Sequence, residues 1–191
     1  EKPNFNYSDN SLFTSIRSTS TDNVSDFGYK TSDLGVSLGT SFEQFENLYF
    51  RPELDISYEK LETTSSASAS QKKQEGDYFD GYFNYSLDYN LTNNRFRPEE
   101  GFRNLFQQEL PLMSENYEIV NSFESTRYQK ISEMVTKVSF FGKAVNSLGN
   151  EDVRVSKRLV MPSSKLRGFE SGKVGPVENN DYIGGNYISA L

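Results

Sequence analysis

Apolar and polar residues alternate along most of the chain with the period of two that is typical of β-strands. The clearest stretch runs from Phe79 to Leu91, where most odd-numbered positions are apolar and most even-numbered positions are polar. Residues 47–59 alternate in the same way, except that Pro52 lacks the amide hydrogen a sheet requires, which favours an edge position or a bulge there. No stretch of useful length has the helical period of 3.6 residues.

This pattern predicts seven antiparallel strands and the start of an eighth. The predicted strands cover residues 11–17, 29–41, 47–59, 79–91, 102–112, 117–128 and 134–148. Strands of thirteen residues exceed the usual five or six of a soluble sheet and suit a tilted strand that crosses a bilayer. The fold class predicted is therefore all-β, an antiparallel transmembrane β-barrel present as a partial barrel.

The connections between the predicted strands support the same class. Those at 18–28, 60–77 and 149–183 are long, whereas those at 42–46 and 129–133 are short. Long loops on one side and short turns on the other are typical of outer-membrane barrels, and only the turn at 113–116 departs from the alternation. The loop at 60–77 is rich in Ser, Thr, Gln and Lys without an apolar anchor, which predicts a mobile segment.

Composition changes this interpretation little. The chain has 15 Phe and 12 Tyr among 191 residues, and barrels concentrate aromatic side chains at both membrane interfaces. A mean hydropathy of −0.69 is compatible with a barrel, because only every second strand residue faces lipid. No apolar run approaches the 18 residues that a spanning helix needs.

The residue types that are missing exclude several kinds of chemistry. The absence of Cys and His excludes thiolate or imidazole zinc sites and nucleophiles that depend on Cys or on a Ser–His pair. The carboxylate pairs Glu99-Glu100 and Glu151-Asp152 fall in predicted turns, where solvated side chains are expected, and Asp77 and Asp80 lack the spacing of a metal loop. We therefore predict no enzymatic activity, no metal and no cofactor.

Net charge argues against nucleic acid as a partner. The formal charge is −7, and a nucleic-acid surface needs a basic stripe. The nearest candidates are interrupted by acidic residues and are predicted to be solvated loop side chains. They are Arg154, Lys157, Arg158, Lys165 and Arg167.

The segment 149–183 is the longest without a strand pattern, and irregular segments of this size are usually functional or disordered. It contains Arg167-Gly168-Phe169, then Gly175-Pro176, and Gly184-Gly185-Asn186 follows it. Taken alone, Arg167 could be one solvated charge, and Gly184 to Asn186 an ordinary turn before a strand. The stretch from Pro98 to Gly101 likewise has the composition of a plain turn.

In this order and spacing, the motifs resemble the BamA family of outer-membrane protein assembly factors. The resemblance is best from Arg95 to Leu191, and one departure is Leu166, where the family often has a β-branched residue. It implies a sixteen-stranded barrel preceded by POTRA domains, of which residues 1–191 would be an excerpt with family strands five to eleven and the start of the twelfth. All of these residues would belong to a single C-terminal barrel domain, and 149–183 would be a loop that folds into the lumen.

The resemblance also implies roles for residues. Arg167, Gly168 and Phe169 would lock the loop onto the inner wall through acidic partners at or beyond the end of this chain. Supporting positions in the loop, at the start of the next strand and in the turn would be Gly175, Pro176, Gly184, Gly185, Asn186, Pro98 and Gly101.

The function implied is the folding and insertion of β-barrel proteins in the outer membrane of a Gram-negative-type bacterium. Partners would be unfolded outer-membrane β-barrel proteins, assembly-complex lipoproteins and outer-membrane lipid. Two alternatives stay open: a polypeptide-translocating pore of the TamA or two-partner secretion type, and a soluble β-sandwich binding module.

Overall fold

The computed structural model describes residues 4–5, 10–65, 67–170, 172–178 and 181–191. Parts of the predicted loops at 60–77 and 149–183 lie outside these ranges. An antiparallel meander of eight strands dominates the described residues, and the predicted all-β antiparallel architecture is confirmed. The strands in spatial order are β1 (Ser11–Asn23), β2 (Tyr29–Phe45), β3 (Leu48–Thr63), β4 (Gly76–Asn90), β5 (Gly101–Met113), β6 (Glu118–Ile131), β7 (Met134–Ser147) and β10 (Tyr187–Ala190).

The remaining elements are short. Two one-turn helices, α1 (Val24–Phe27) and α2 (Ala69–Lys72), lie in the β1–β2 and β3–β4 connections. A 3-10 turn (Val155–Lys157) and a two-stranded ribbon of β8 (Val177–Glu178) and β9 (Asp181–Tyr182) lie between β7 and β10. Within the described ranges, none of the helices has the length and apolar character needed to cross a bilayer.

The two faces of the sheet have opposite chemistry. On the outer face, Val36 pairs with Ile56 and Leu38 with Leu54, and all four side chains are about half exposed. On the inner face, polar and charged side chains are buried, among them Ser37, Asp55, Ser57, Glu59 and Asp80. Apolar groups outside and polar groups inside are the arrangement of a sheet that meets lipid on one side and a wet lumen on the other.

Side chains of β1 reach across β2 to β3 over two glycines. The Phe13 ring passes over Gly39, where a Cβ atom would collide with it, and the Arg51 guanidinium carbon lies 3.8 Å from the ring centroid. Arg17 passes over Gly35 and binds Asp33 and, at 3.5 Å, the Asp55 carboxylate of β3. The alternating glycines of β2 therefore give the inner wall room for cross-strand contacts.

Pro52 does not occupy the edge position or bulge that its chemistry predicts. It lies in the interior strand β3 and pairs with Tyr85 of β4. On the β2 side, the ladder skips from the Gly39–Glu53 pair to the Phe42–Phe50 pair, which accommodates the missing amide donor, and the register shift comes later, between Glu43 and Phe45.

Several strands extend past their predicted bounds, because polar segments pair although they have no apolar alternation. Residues 19–23 of β1 pair with 29–33 of β2, and β3 continues to Thr63. The prediction that 60–77 lacks an apolar anchor is wrong for its described part. Leu61 is fully buried in the extended part of β3, and Gln71 is fully buried as well, with its Nε2 donating to the Phe27 carbonyl at 2.7 Å.

The connections lie alternately at the two ends of the sheet. We call loop end the side with residues 24–28, 64–75, 114–117 and 148–186, and turn end the side with residues 46–47, 91–100 and 132–133. At the loop end the connections touch each other, since Ser70 donates to Glu178 at 2.8 Å and Lys173 lies 3.6 Å from Asp26. The candidate functional site lies at this end.

Candidate functional site

The segment after β7 lies on the inner face of the sheet and is held there by buried valines and a leucine. Val155 packs in a cluster with Tyr29, Leu61 and Tyr78. Val153 and Leu159 pack in a second cluster with Val120 and Val145. The 3-10 turn between them changes the chain direction, so that one short segment fills two apolar patches of an otherwise polar wall.

Arg154, between these valines, is fully buried and bound by side chains of two strands. One terminal nitrogen lies 2.9 Å from Asp80 Oδ2 and 3.4 Å from Glu59 Oε1, and the other donates to Asp80 Oδ1 at 3.1 Å. The guanidinium carbon lies 3.8 Å above the centroid of the Tyr78 ring. A planar guanidinium can bind a carboxylate through two nitrogens and stack on a ring at once, which an ammonium cannot do.

Further hydrogen bonds hold the acidic partners in place. Ser114 Oγ donates to Asp80 at 2.6 Å, and Ser156 Oγ donates to Glu59 at 2.7 Å. Glu118, at the start of β6, accepts from the backbone amide of Arg154 at 2.5 Å. Side chains of β3, β4 and β6 thus converge on one loop residue.

The electrostatics favour a charged arginine despite its burial. Burial alone would lower the pKa of Arg154, but the hydrogen bond and charge of Asp80, with the charges of Glu59 and Glu118, raise it above its ordinary value. No group of His, Cys, Asp or Glu in the described residues is arranged to hold a metal ion. The arrangement is a buried ion-pair anchor that joins the loop to the inner wall.

A second cation attaches the loop further along the wall. Lys165 Nζ lies 2.9 Å from Glu124 Oε1 of β6 and 5.0 Å from the centroid of the Phe141 ring of β7. The predicted motif begins two residues after this contact. Arg167, Gly168 and Phe169 are all exposed, and Arg167 forms no ion pair with any described residue. Gly168 has φ +85°, a backbone conformation that favours glycine.

The supporting glycines close the base of the loop. Leu159 and Gly185 exchange two backbone hydrogen bonds of 2.7 and 2.9 Å, and Gly184 has φ +68° beside Arg158. The Asn186 carbonyl accepts from the Val145 amide at 2.9 Å, which starts the pairing of β10 with β7. These three residues therefore do more than turn the chain, because they fasten the returning segment to both the loop and the wall.

The other predicted positions lie apart from this anchor. Gly175 has φ +134° and is exposed, and the Pro176 carbonyl accepts from the Ile183 amide at 3.1 Å. Pro98 and Gly101 lie at the turn end. Gly101 has φ +100°, and a Cβ there would collide with the Leu91 carbonyl, so this turn requires glycine for its own geometry.

The sequence pattern does not reveal the anchor. The prediction of solvated cations is wrong for Arg154, which is fully buried. The available signal is local: Val153 and Val155 flank Arg154 in a polar loop. Its partners belong to the polar face of β3 and to the start of β4, where Asp80 lacks the spacing of a metal loop and instead binds a guanidinium.

Comparison with known proteins assigns the family. The Omp85 superfamily domain matches residues 1–190. The chain belongs to the Omp85 superfamily. No curated protein sequence matches it significantly.

Fifty-eight chains of solved structures match this Omp85 chain. One is the crystal structure of BamA from Haemophilus ducreyi lacking POTRA domains 1–3, with a TM-score of 0.85 and 21% sequence identity. The alignment covers 98% of this chain and 42% of that one, so the chain spans less than half the length of this relative. The predicted resemblance and the predicted partial barrel are confirmed.

Proposed function

We propose that the protein is an outer-membrane protein assembly factor, which folds and inserts β-barrel proteins into a bacterial outer membrane. Membership of the Omp85 superfamily and the BamA-like fold support this proposal. The observation that carries it is the long loop packed on the inner wall and anchored there by Arg154. The work done is the binding and release of polypeptide segments, and no covalent bond changes.

Within the whole protein, this segment would form the wall that stays closed. We assign residues 1–191 to family strands five to twelve of one C-terminal barrel domain, preceded by POTRA domains, with residues 149–183 as the lumen loop. Clients would be unfolded outer-membrane β-barrel proteins, and assembly-complex lipoproteins would bind other parts. The outer face, with its exposed apolar residues, would contact outer-membrane lipid of a Gram-negative-type bacterium.

For the motif Arg167-Gly168-Phe169 we propose a lock that complements the Arg154 anchor. Arg167 forms no ion pair within the described part and is therefore free to bind a carboxylate supplied elsewhere in the whole barrel. Lys165, two residues before it, already holds this part of the loop against β6. A guanidinium inside a lumen needs such a partner, because its desolvation is otherwise uncompensated.

Reconstitution of the full-length protein tests the function. Lipid vesicles with and without it receive a urea-unfolded outer-membrane barrel, and folding is followed by the change in gel mobility that folded barrels show before heating. We expect faster and more complete folding of several unrelated clients when the protein is present. Equal folding rates in both vesicle preparations would refute the assembly function.

A polypeptide-translocating pore is the second candidate. A polar recess of about 220 Å³ in the inner wall favours this function, because it is lined by side chains of both charges. They include Arg51, Glu53, Glu109 and Lys143. The same vesicles distinguish the two functions. Transport of one cognate polypeptide into the vesicle interior, with no effect on the folding of unrelated barrels, would establish the pore.

A further inference from the structure

The connection between β4 and β5 at the turn end is a rigid loop with an exposed aromatic tip. The hairpin pairing continues beyond the strands, since Leu91 donates to the Phe102 carbonyl at 2.9 Å and Asn93 donates to that of Glu100 at 3.0 Å. Asn94 Oδ1 accepts from the amides of Phe96 and Arg97 at 2.9 and 3.0 Å. The tip therefore keeps one conformation rather than fluctuating as a free chain.

What this loop presents is one apolar ring between two cations. Phe96 is 91% exposed, and Arg95 and Arg97 on either side of it are exposed as well. Neither arginine forms an ion pair with a described residue. Because the loop is ordered and the Phe96 ring lies outside the protein, the ring is available to contact lipid or another molecule.

The neighbouring hairpin of β6 and β7 exposes apolar side chains beside this tip. Lys130 of β6 binds Glu99 at 2.6 Å, which places the β6–β7 turn beside the loop. That turn exposes Ile131 (52%) and Met134 (71%). The rings of Tyr89 and Phe102 meet edge to face on the outer face just before the loop, with their centroids 5.8 Å apart. The apolar outer surface therefore continues to the level of the tip.

We propose that Arg95-Phe96-Arg97, together with Ile131 and Met134, is a lipid-interface anchor at the turn end of the barrel. Phe96 enters the boundary between headgroups and acyl chains, and the two arginines bind lipid phosphates. Aromatic rings are favoured at this depth, and guanidinium groups match phosphate geometry. A lipid surface fits better than a protein partner, because the apolar residues lie in line with the lipid-facing wall.

Tryptophan quenching in the full-length protein tests this position directly. Residues 1–191 contain no Trp, so Phe96→Trp introduces a single reporter there, with any Trp outside this segment replaced by Phe. The protein is placed in vesicles with phosphatidylcholine brominated near the headgroup end of the acyl chains. We expect strong quenching of the introduced indole by the brominated lipid and weak quenching by aqueous iodide.

Two further positions calibrate the measurement. Leu54→Trp on the outer wall gives the response of a membrane-embedded residue, and Val174→Trp on the exposed long loop gives that of a residue away from the outer wall. If the indole of the Phe96→Trp protein is quenched by iodide and not by lipid, the tip lies in water and the proposal is overturned. If that indole is shielded from both quenchers, the tip contacts protein and the proposal is overturned equally.

The arginines make a separate prediction about lipid selectivity. Brominated phosphatidylglycerol should quench the Phe96→Trp reporter at a lower fraction in the bilayer than brominated phosphatidylcholine does. The double substitution Arg95→Gln and Arg97→Gln should remove this preference. Each arginine should contribute up to about fivefold to the relative association of phosphatidylglycerol. If both brominated lipids quench the Phe96→Trp reporter equally while Arg95 and Arg97 are present, the phosphate contact is refuted. Each outcome is independent of whether the protein assembles clients.

Discussion

Among the described residues, Arg154 is a fully buried cation whose two terminal nitrogens are bound by carboxylates, while its Nε has no hydrogen-bond partner. Its guanidinium is fully buried, and Asp80 and Glu59 are buried with it. A buried ion pair contributes little beyond what an apolar replacement would contribute, but the loss of one partner leaves the others as uncompensated charges. The intact set of charges therefore contributes little net stability, whereas the loss of Arg154 alone is strongly destabilising.

Removal of this side chain should be costly. In the full-length protein, Arg154→Ala leaves Asp80 and Glu59 buried without a cation, and we expect a loss of about 3–5 kcal/mol in the free energy of unfolding. Urea unfolding followed by circular dichroism measures it. The matched control is Arg103→Ala, which breaks a solvent-exposed ion pair with Asp88 on the same wall and should cost less than about 1 kcal/mol. Equal effects of both changes would contradict the anchor.

Arg167 should respond differently. In the full-length protein, Arg167→Ala removes the proposed lock, so we expect impaired assembly of the barrel. The physical reason is that its acidic partner on the wall loses its cation. Heat-modifiable gel migration measures this effect, and migration identical to that of the parent protein would count against the lock.

Sequence reasoning singles out one of these two arginines and not the other for a physical reason. Arg167 has a glycine and a phenylalanine beside it in a recognisable order. The importance of Arg154 depends on partners 95 and 74 positions away, which local pattern cannot reveal. Only the folded sheet brings Glu59 of β3 and Asp80 of β4 to the same point.

At the level of elements, the inner wall between β1 and β3 depends on small residues in β2. Phe13 reaches Arg51 only because Gly39 leaves space for its ring. The small residues at every second position of this strand, Gly35, Ser37 and Gly39, indicate a crowded or a wet inner face, but not which side chain fills the space.

A methyl group at this position should disturb the wall. We expect Gly39→Ala to displace the Phe13 ring and to cost about 1–3 kcal/mol in the free energy of unfolding, measured by urea titration of the full-length protein. Gly142→Ala is the control, because its nearest side-chain atoms on Phe140 lie 3.5 Å away, and it should cost about 0.5 kcal/mol or less. A larger effect at Gly142 would refute the packing argument.

The register of β4 gives an element-scale prediction about the membrane. Phe83 and Leu87 lie on the outer face, whereas Asn84 and Asp88 lie on the inner face, where Asp88 binds Arg103 at 2.6 Å. A lipid-soluble thiol reagent should therefore modify cysteine at position 87 and spare cysteine at position 88. Modification at position 88 and not at position 87 would show that the register of β4 is shifted by one residue and that its two faces are exchanged.

For the whole molecule, the fold is predictable because alternation and loop lengths repeat many times along the chain. The ends of strands are less predictable, since residues 19–23 pair although they are polar. The packing of connections at the loop end is not predictable from local pattern at all. It depends on single amide and carboxylate contacts such as that of Gln71 with Phe27.

The convergence of three strands on Arg154 also limits the order in which parts of the chain can fold. Glu59 and Asp80 bind the guanidinium of Arg154, Glu118 binds the backbone amide of the same residue, and the three lie on strands that are well separated in sequence. The closure of such long-range contacts comes late in folding, because their entropy cost must be met by contacts already formed. The loop can dock only on a wall whose strands have already paired in register. A docked loop therefore indicates that the sheet is complete.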